Sequence, residues 1–398
     1  MPCKGIRAAT ARFSALLVGA ARGSSSQHGW FASLPAQPGG NGSTQQSAFT
    51  STTQFFNTIL DPSIDGRGDT GTGGGATGYA DEGTDALAYA GRNKSPAVRD
   101  AYAAVTPRDP RRDTVGGRWN VWASGYGGSS TVDGNTAQGT HSTTSSIYGT
   151  AVGAAYRVNR DTMVGFAMGG AGTNFNTSQG LGGGRADLFQ LGVYGRHNIG
   201  AAYVTGALAY GWQDVTTNRT VTLAGTDQLQ SRFHSNTFAA RLESGYRFAT
   251  MFGGLTPYAA LQSTTVHLPS YAEMATSGSS QFALAFGSDT MTDVRSELGF
   301  RTDKSFAMRD DATLILRGRA AWAHDSNTDR TITPTFQALP GAGSFTVNGA
   351  RPAADGALVT AGAEMKFRNG WAVAAKFDGE FSGTTESCAG QGTVKYAW

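Results

Sequence analysis

Residues 371–381 read WAVAAKFDGEF. In an extended strand, successive side chains point to opposite faces. Trp371, Val373, Phe377 and Phe381 then share one face, while Lys376, Asp378 and Glu380 share the other. The division recurs upstream. In RLESGYRF (241–248), Leu242, Ser244, Tyr246 and Phe248 oppose Arg241, Glu243, Gly245 and Arg247. In DVRSELGFR (293–301), Val294, Leu298 and Phe300 oppose Arg295, Glu297, Gly299 and Arg301. In LILRGRAAW (314–322), Leu314, Leu316 and Trp322 oppose Arg317 and Arg319. A soluble barrel would turn the charged faces outward and fill its interior with large aliphatics. Here the opposite faces carry Ala, Gly, Leu and aromatics, which suit a smooth band against lipid better than an interdigitated core. An Arg or Lys turned toward lipid at mid-depth costs about 2–4 kcal/mol. These charges misplaced together would exceed a whole stability of about 5–15 kcal/mol. One face must be wet. The period-two reading therefore assigns Arg241, Glu243, Arg295, Glu297, Arg301, Arg317, Arg319, Glu364, Lys376, Asp378 and Glu380 to a lumen, where mixed signs solvate a pore.

Working outward, twelve such segments follow residue 117, bounded by turn residues. They centre on 118–127, 144–156, 162–174, 185–197, 201–214, 232–248, 255–267, 290–302, 312–324, 357–367, 371–382 and 390–398. A tilted membrane strand needs about 9–11 residues, and each segment meets that. The first, third, fifth, seventh and ninth connections read as long, for example 128–143, 215–231 and 325–356. The second, fourth, sixth and tenth read as tight, and the eighth, 303–311, as modest. Outer-membrane barrels alternate long external loops with short periplasmic turns. An even strand count puts both ends of the barrel on the periplasmic side. The fold class is thus an all-β membrane protein, a twelve-stranded antiparallel transmembrane barrel in the outer membrane of a Gram-negative bacterium.

Composition agrees. Among 398 residues there are 56 Gly, and charged residues make up 15%, against about 25% in ordinary soluble domains. No apolar run approaches the ~18 residues of a helical span. The net charge of +3 disfavours nucleic-acid binding. Two Cys cannot build a disulfide framework. Val394, Tyr396 and Trp398 alternate in the last segment, which places an aromatic in an interfacial girdle. Trp119, Trp122, Tyr126, Tyr156, Tyr210, Trp212, Tyr246, Trp322 and Trp371 are candidates for the rest of the belts.

Residues before 117 read differently. Lys4, Arg7 and Arg12 around the short apolar run 13–21 have roughly the shape of a secretory signal peptide. Residues 24–43 are polar and rich in Gly and Pro, so they read as irregular. In 45–60, Phe49, Phe56, Ile59 and Leu60 lie at helical spacing, and Asp61-Pro62 ends the run. A Gly-rich linker follows, then short helical pieces at 86–91 and 96–105. The chain divides into 1–44, a poorly ordered segment; 45–116, a helical and Gly-rich linker; and 117–398, the barrel.

Catalytic and metal chemistry finds no anchor. The six His show no paired metal-ligand spacing, and G-x-S-x-G is absent. Gly73, Gly75 and Gly78 formally fit G-x-G-x-x-G but read as linker, since no strand precedes them. The lumenal acids read as counter-charges to the Arg and Lys, and the chain as a non-enzyme without cofactor or metal.

Several stretches together resemble the translocator domain of monomeric autotransporters (type V secretion). They are RWNVWASGYGG (118–128), DGNTAQGTHSTTSSIYGTAVGAAYRV (133–158), TMVGFAMGGAGTNF (162–175), ELGFRTDKS (297–305), RGRAAWAHD (317–325), FTVNGARPAADGALVTAGAEMKF (345–367), FDGEFS (377–382) and GTVKYAW (392–398). The resemblance implies a helical linker threaded through the lumen, joining the barrel to an N-terminal passenger exported to the cell surface. It implies a monomer whose partners are outer-membrane lipid, the barrel-assembly machinery, periplasmic chaperones and its own linker. Val394, Tyr396 and Trp398 would form the signal read by that machinery. Some relatives cut their linker at an Asn, for which Asn57 and Asn93 are candidates here. The segment 1–44 carries no repeat, so the passenger is expected to be missing or vestigial. A diffusion pore is the alternative function.

Overall fold

The computed structural model describes residues 39–65 and 118–398, apart from 136–139, 181, 224, 309–311 and 340–342. Twelve long strands form the wall. They are β1 Trp119–Val132, β2 Thr143–Arg157, β3 Thr162–Thr177, β4 Gly182–Ile199, β5 Ala202–Val221 and β6 Asp227–Tyr246. They continue as β7 Gly253–Leu268, β8 Asp289–Ala307, β9 Thr313–Asp325, β10 Asp355–Lys366, β11 Trp371–Ser382 and β12 Thr385–Ala397. Each pairs antiparallel with its chain neighbours. β12 returns to β1, with Asn120 opposite Ala397 and Val132 opposite Thr385. The sheet is therefore closed, and no strand edge is left for lipid, which could not satisfy it.

The outer surface is apolar through its middle. Val193, Leu208, Phe238, Leu242, Leu261, Leu298 and Phe300 are all exposed there. At the lower end, where β1 starts and β12 stops, aromatic rings gather. Trp119 packs on Tyr156, Tyr246 on Phe248, and Tyr396 on both Trp371 and Trp398. Toward the upper end stand Tyr210, Trp212 and Trp322. Tyr210 contacts Phe238, and Trp212 stacks on His234. Trp122 and Tyr126 depart from the expected belt. Both are buried on the inner face, and Trp122 donates to the Tyr194 hydroxyl at 2.9 Å. They fit because the neighbouring strand offers glycine. A Cβ at Gly153 would meet the Trp122 ring at 2.5 Å, and one at Gly149 would meet Tyr126 at 2.7 Å.

The connections also differ from the reading above. The third and fifth are short, at 178–181 and 222–226, because β4, β5 and β6 are 18, 20 and 20 residues long. Above Trp212 the outward side chains of β5 become Asp214, Thr216, Asn218 and Thr220. The apolar–polar alternation stops there, yet the backbone ladder with β6 continues to Val221. The seventh and ninth connections are long, as expected. Residues 271–272, 284–286 and 334–336 pair into a small sheet above the barrel, and 331–332 pairs with 347–348.

Helix α1, Gly39–Ile59, runs inside the barrel, followed by the single turn α2, Pro62–Asp65. It begins ahead of the Gln45 start that the spacing predicts. Among the described residues, no helix is long and apolar enough to cross a membrane by itself. The expected helical pieces at 86–91 and 96–105, the Gly-rich linker and the signal-like segment lie outside the described residues.

Candidate functional site: the filled lumen

α1 is enclosed on nearly all sides, and its composition suits that. Ser43, Thr44, Gln45, Ser47, Ser51, Thr52 and Thr58 are all buried. A helix inside a polar bore meets polar groups in several directions, so a single apolar stripe would not serve it. Ser51 and Thr52 return hydrogen bonds to the Ala48 carbonyl at 3.0 and 2.9 Å, and Thr58 to that of Gln54 at 2.9 Å. Ser47 meets Thr173 at 2.9 Å, Thr53 accepts from Gln262 at 3.1 Å, and Thr58 meets Gln391 at 3.0 Å. The apolar side chains of α1 find apolar partners mainly on one part of the wall, although Phe56 and Leu60 also border the cavity. Phe55, Phe56, Ile59 and Leu60, with Ile64 of α2, pack against Trp122, Ile147, Ala151, Met163, Tyr194 and Ala207. Ala48 and Phe49 pack with Phe175, Leu188, Val215 and Phe233. These residues belong to β1–β6, and Val266 and Leu268 of β7 complete the second group.

The direction of α1 is set by its contacts. Near its start, Ser43 meets Thr143 at the top of β2, and Gln45 reaches Asp289 at the top of β8. Arg330, from the ninth connection, donates to Gln46 at 3.1 Å and lies over the Phe49 ring. Burial pulls the Arg330 pKa down to about 10. At the lower end two lysines close the helix. Lys376 donates to the Asn57 carbonyl at 2.6 Å and pairs with Asp61 at 2.7 Å. Lys395 donates to the Ser63 carbonyl. Terminal carbonyls lack intrahelical partners and carry partial negative charge, which suits cations. Asp61 caps α2, accepting from the Ser63 N–H at 2.8 Å and its hydroxyl at 2.6 Å.

Opposite the helix stands the charged wall. The charges predicted for the lumen lie on the inward parity of β6 and β8–β11, each buried or half-buried. Arg241 holds Glu297 through two nitrogens, each at 2.8 Å, and reaches Glu243 at 3.2 Å. Arg301 pairs with Glu243 at 2.9 Å and lies over the Tyr258 ring. Tyr203 donates to Glu243 at 2.8 Å. Arg295 bridges Asp325 at 3.2 Å and Glu380 at 2.9 Å. Arg317 pairs with Glu364 at 2.6 Å, and Asp378 accepts from Thr360 at 2.6 Å. Arg319 is different, since its nearest carboxylate oxygen, on Glu297, is 3.8 Å away. The wall also contains Arg247–Asp303 at 2.6 Å, and Lys366 and Lys395 near Glu364. Those residues share the inward parity of the predicted set, so the alternation already marked them. Between wall and helix lies a cavity of about 490 Å³. Among the described residues no His, Cys, Asp and Glu cluster could hold a metal ion. Asn93 lies outside the described residues, and the backbone carbonyl of Asn57 is held by Lys376.

Val394, Tyr396 and Trp398 lie on the outer parity at the lower rim. Trp398 exchanges backbone hydrogen bonds with Trp119, at 3.1 and 3.3 Å, across the seam that closes the barrel.

A closed barrel with an apolar belt, two aromatic rims and a helix of its own chain in the bore defines a membrane-inserted translocator type of architecture. The chain belongs to the autotransporter family: the model of the autotransporter beta-domain matches residues 121–378. Over 287 residues it is 25% identical to an extracellular serine protease of Serratia marcescens, covering 72% of this chain and 26% of that protein. A second extracellular serine protease of that organism is 26% identical over 199 residues, 50% of this chain and 18% of that one. The chain thus spans well under half the length of these relatives. The fold is that of the translocator domain of NalP from Neisseria meningitidis, with TM-score 0.58 and 18% identity, over 81% of this chain and all of that one. The beta domain of the Bordetella autotransporter BrkA gives TM-score 0.53 and 16% identity, over 71% of this chain and all of that one. The protein is an outer-membrane translocator barrel of a Gram-negative bacterium.

Proposed function

We propose that the barrel anchors, and passes to the cell surface, the segment N-terminal to α1. One observation carries this reading: α1 enters at the upper, loop-bearing mouth and ends beside Lys376 and Lys395 at the lower rim. Whatever precedes Gly39 is therefore directed outward, with α1 and the residues up to 116 as linker, 1–38 as the exported part and 117–398 as the anchor. The lumen does this without catalysis. Its acids neutralise arginines, and its polar surface lets a chain slide. The barrel works as a monomer, because closure leaves no edge for a second copy. A peptide tag placed ahead of Gly39 should be cut by protease added to intact cells. A tag that stays protected until the outer membrane is breached would overturn the proposal.

The segment Val394, Tyr396, Trp398 serves as the signal read by the barrel-assembly machinery, after delivery by periplasmic chaperones. Its aromatics stand on the outer face at the closing seam, where an unfolded chain would offer them. Trp398→Ala should lower insertion in cells several-fold while leaving refolding in detergent unchanged; equal insertion would count against the signal role. The second reading, a diffusion pore, is separated by conductance. Deleting residues 1–110 should raise single-channel conductance strongly, because α1 fills the bore. An open pore would show the same conductance with and without them.

A further inference from the structure

The charged wall brings two cations together at one place. Arg301 on β8 and Arg319 on β9 stand directly opposite each other in register. Like charges in that relation destabilise a sheet. Arg301 is satisfied by Glu243 and by the Tyr258 ring. Arg319 has only a looser one, Glu297 at 3.8 Å. Its side chain is 9% exposed, and its Nε is buried without an acceptor. The two carboxylates nearest to it are committed. Glu297 takes both terminal nitrogens of Arg241 and the Tyr258 hydroxyl. Glu243 takes Tyr203, Arg241 and Arg301. On the other side, Arg319 faces Thr360 of β10, and Thr360 faces Asp378 of β11. Asp378 is therefore two strands away, about 10 Å at the usual strand spacing, and it lies 3.4 Å from Lys376.

We infer that the lumenal cavity contains a binding site for a small tetrahedral oxyanion, of the phosphate or sulfate class, centred on Arg319. Arg301, Arg317 and Arg319 line the cavity beside Glu243, Glu364 and Asp378, with cations in excess over its whole lining, and it also reaches Asn198 and Gly200 at the lower rim. Its volume of about 490 Å³ leaves room for the anion and its water. A guanidinium presents its donors as a planar fork that matches oxyanion geometry, and it is weakly hydrated, so it gives up water readily. An oxyanion here would supply the acceptor that Arg319 Nε lacks and would screen the Arg301–Arg319 repulsion. The lower rim faces the periplasm, so free phosphate could enter from there with α1 in place.

The experiment is calorimetric titration of the full chain, refolded in zwitterionic detergent, with sodium phosphate. Sodium chloride at matched ionic strength is the reference. Saturable binding near one site per barrel is expected with phosphate and not with chloride. Arg319→Gln should weaken it at least tenfold. Arg319→Lys keeps the charge but removes the fork; it should weaken binding several-fold and covers the case in which the Gln variant does not fold. Arg185→Gln, on the outer face, should leave it unchanged. No saturable phosphate heat, or equal affinity in the folded Arg319 variants, would overturn the assignment.

Discussion

The two halves of the inner wall solve different problems. Strands β1–β6 turn Trp122, Tyr126, Ile147, Ala151, Met163, Tyr194 and Ala207 inward, and the apolar side of α1 packs there. Strands β8–β11, with Arg241 and Glu243 of β6, present a network of ion pairs, and most of the cavity lies against it. Burying a Phe, Leu or Ile side chain contributes about 1.5–3 kcal/mol, so the first half holds the helix. Ion pairs in the second half give little net stability once desolvation is counted. They keep that half hydrated and free of apolar grip. The difference teaches that one bore can hold a chain by apolar packing on one side and by a few polar contacts, such as Lys376 to Asn57 and Asp61, on the other.

The largest expected effect comes from stripping the charged half. Arg241→Leu leaves Glu297 buried without its main counter-charge, at a cost of about 3–5 kcal/mol. Guanidinium unfolding of the refolded barrel should show the loss whether or not residues 1–110 are present. If the loss disappears on deleting them, the network belongs to helix docking and the division between halves fails. Phe55→Ala, in the gripping half, should cost about 3 kcal/mol. This loss should appear as helix release, seen as intermittent high-conductance openings, with the barrel's own unfolding midpoint unmoved. A smaller effect, about 1–3 kcal/mol, is expected from Gly153→Ala. The new Cβ meets the Trp122 ring at 2.5 Å and pushes it toward α1. Trp122 fluorescence should shift in that variant, and an unchanged spectrum would mean that the ring is not held by the glycine pit.

The membrane-embedded part of this fold was legible in the sequence because lipid imposes a contrast. Where one face meets hydrocarbon and the other water, Leu298 and Phe300 must alternate with Glu297 and Arg301. Above Trp212 that contrast ends. Asp214, Thr216, Asn218 and Thr220 face water outside, and Thr217 and Arg219 face polar groups inside, so period two fades while the backbone pairs continue. That is why the tall ends of β5 and β6 read as loop. Inside the bore, alternation assigns charges to the lumen but not to partners. The Arg241–Glu297 fork and the looser pairing of Arg319 depend on register between strands, which single segments do not encode. Trp122 and Tyr126 were misread because aromatics suit both a belt and a core. The decision lay with Gly153 and Gly149, on the next strand.

The unequal strand lengths shape the exit. β5 and β6 have 20 residues each, whereas β10 and β11 have 12. At about 3.3 Å per residue and a tilt of about 35–45°, the tall side rises roughly 20 Å above the low one. The mouth is therefore cut obliquely, like a spout. The small sheet formed by 271–272, 284–286 and 334–336 leans on the tall side, where Tyr271 stacks on Phe233. The low lip lies at the turn 383–384, between β11 and β12. A chain leaving the bore would be deflected over that lip and not along the barrel axis. A folded tag inserted at 383–384 should then impede surface exposure of the N-terminal segment, while the same tag at 222–226 should not.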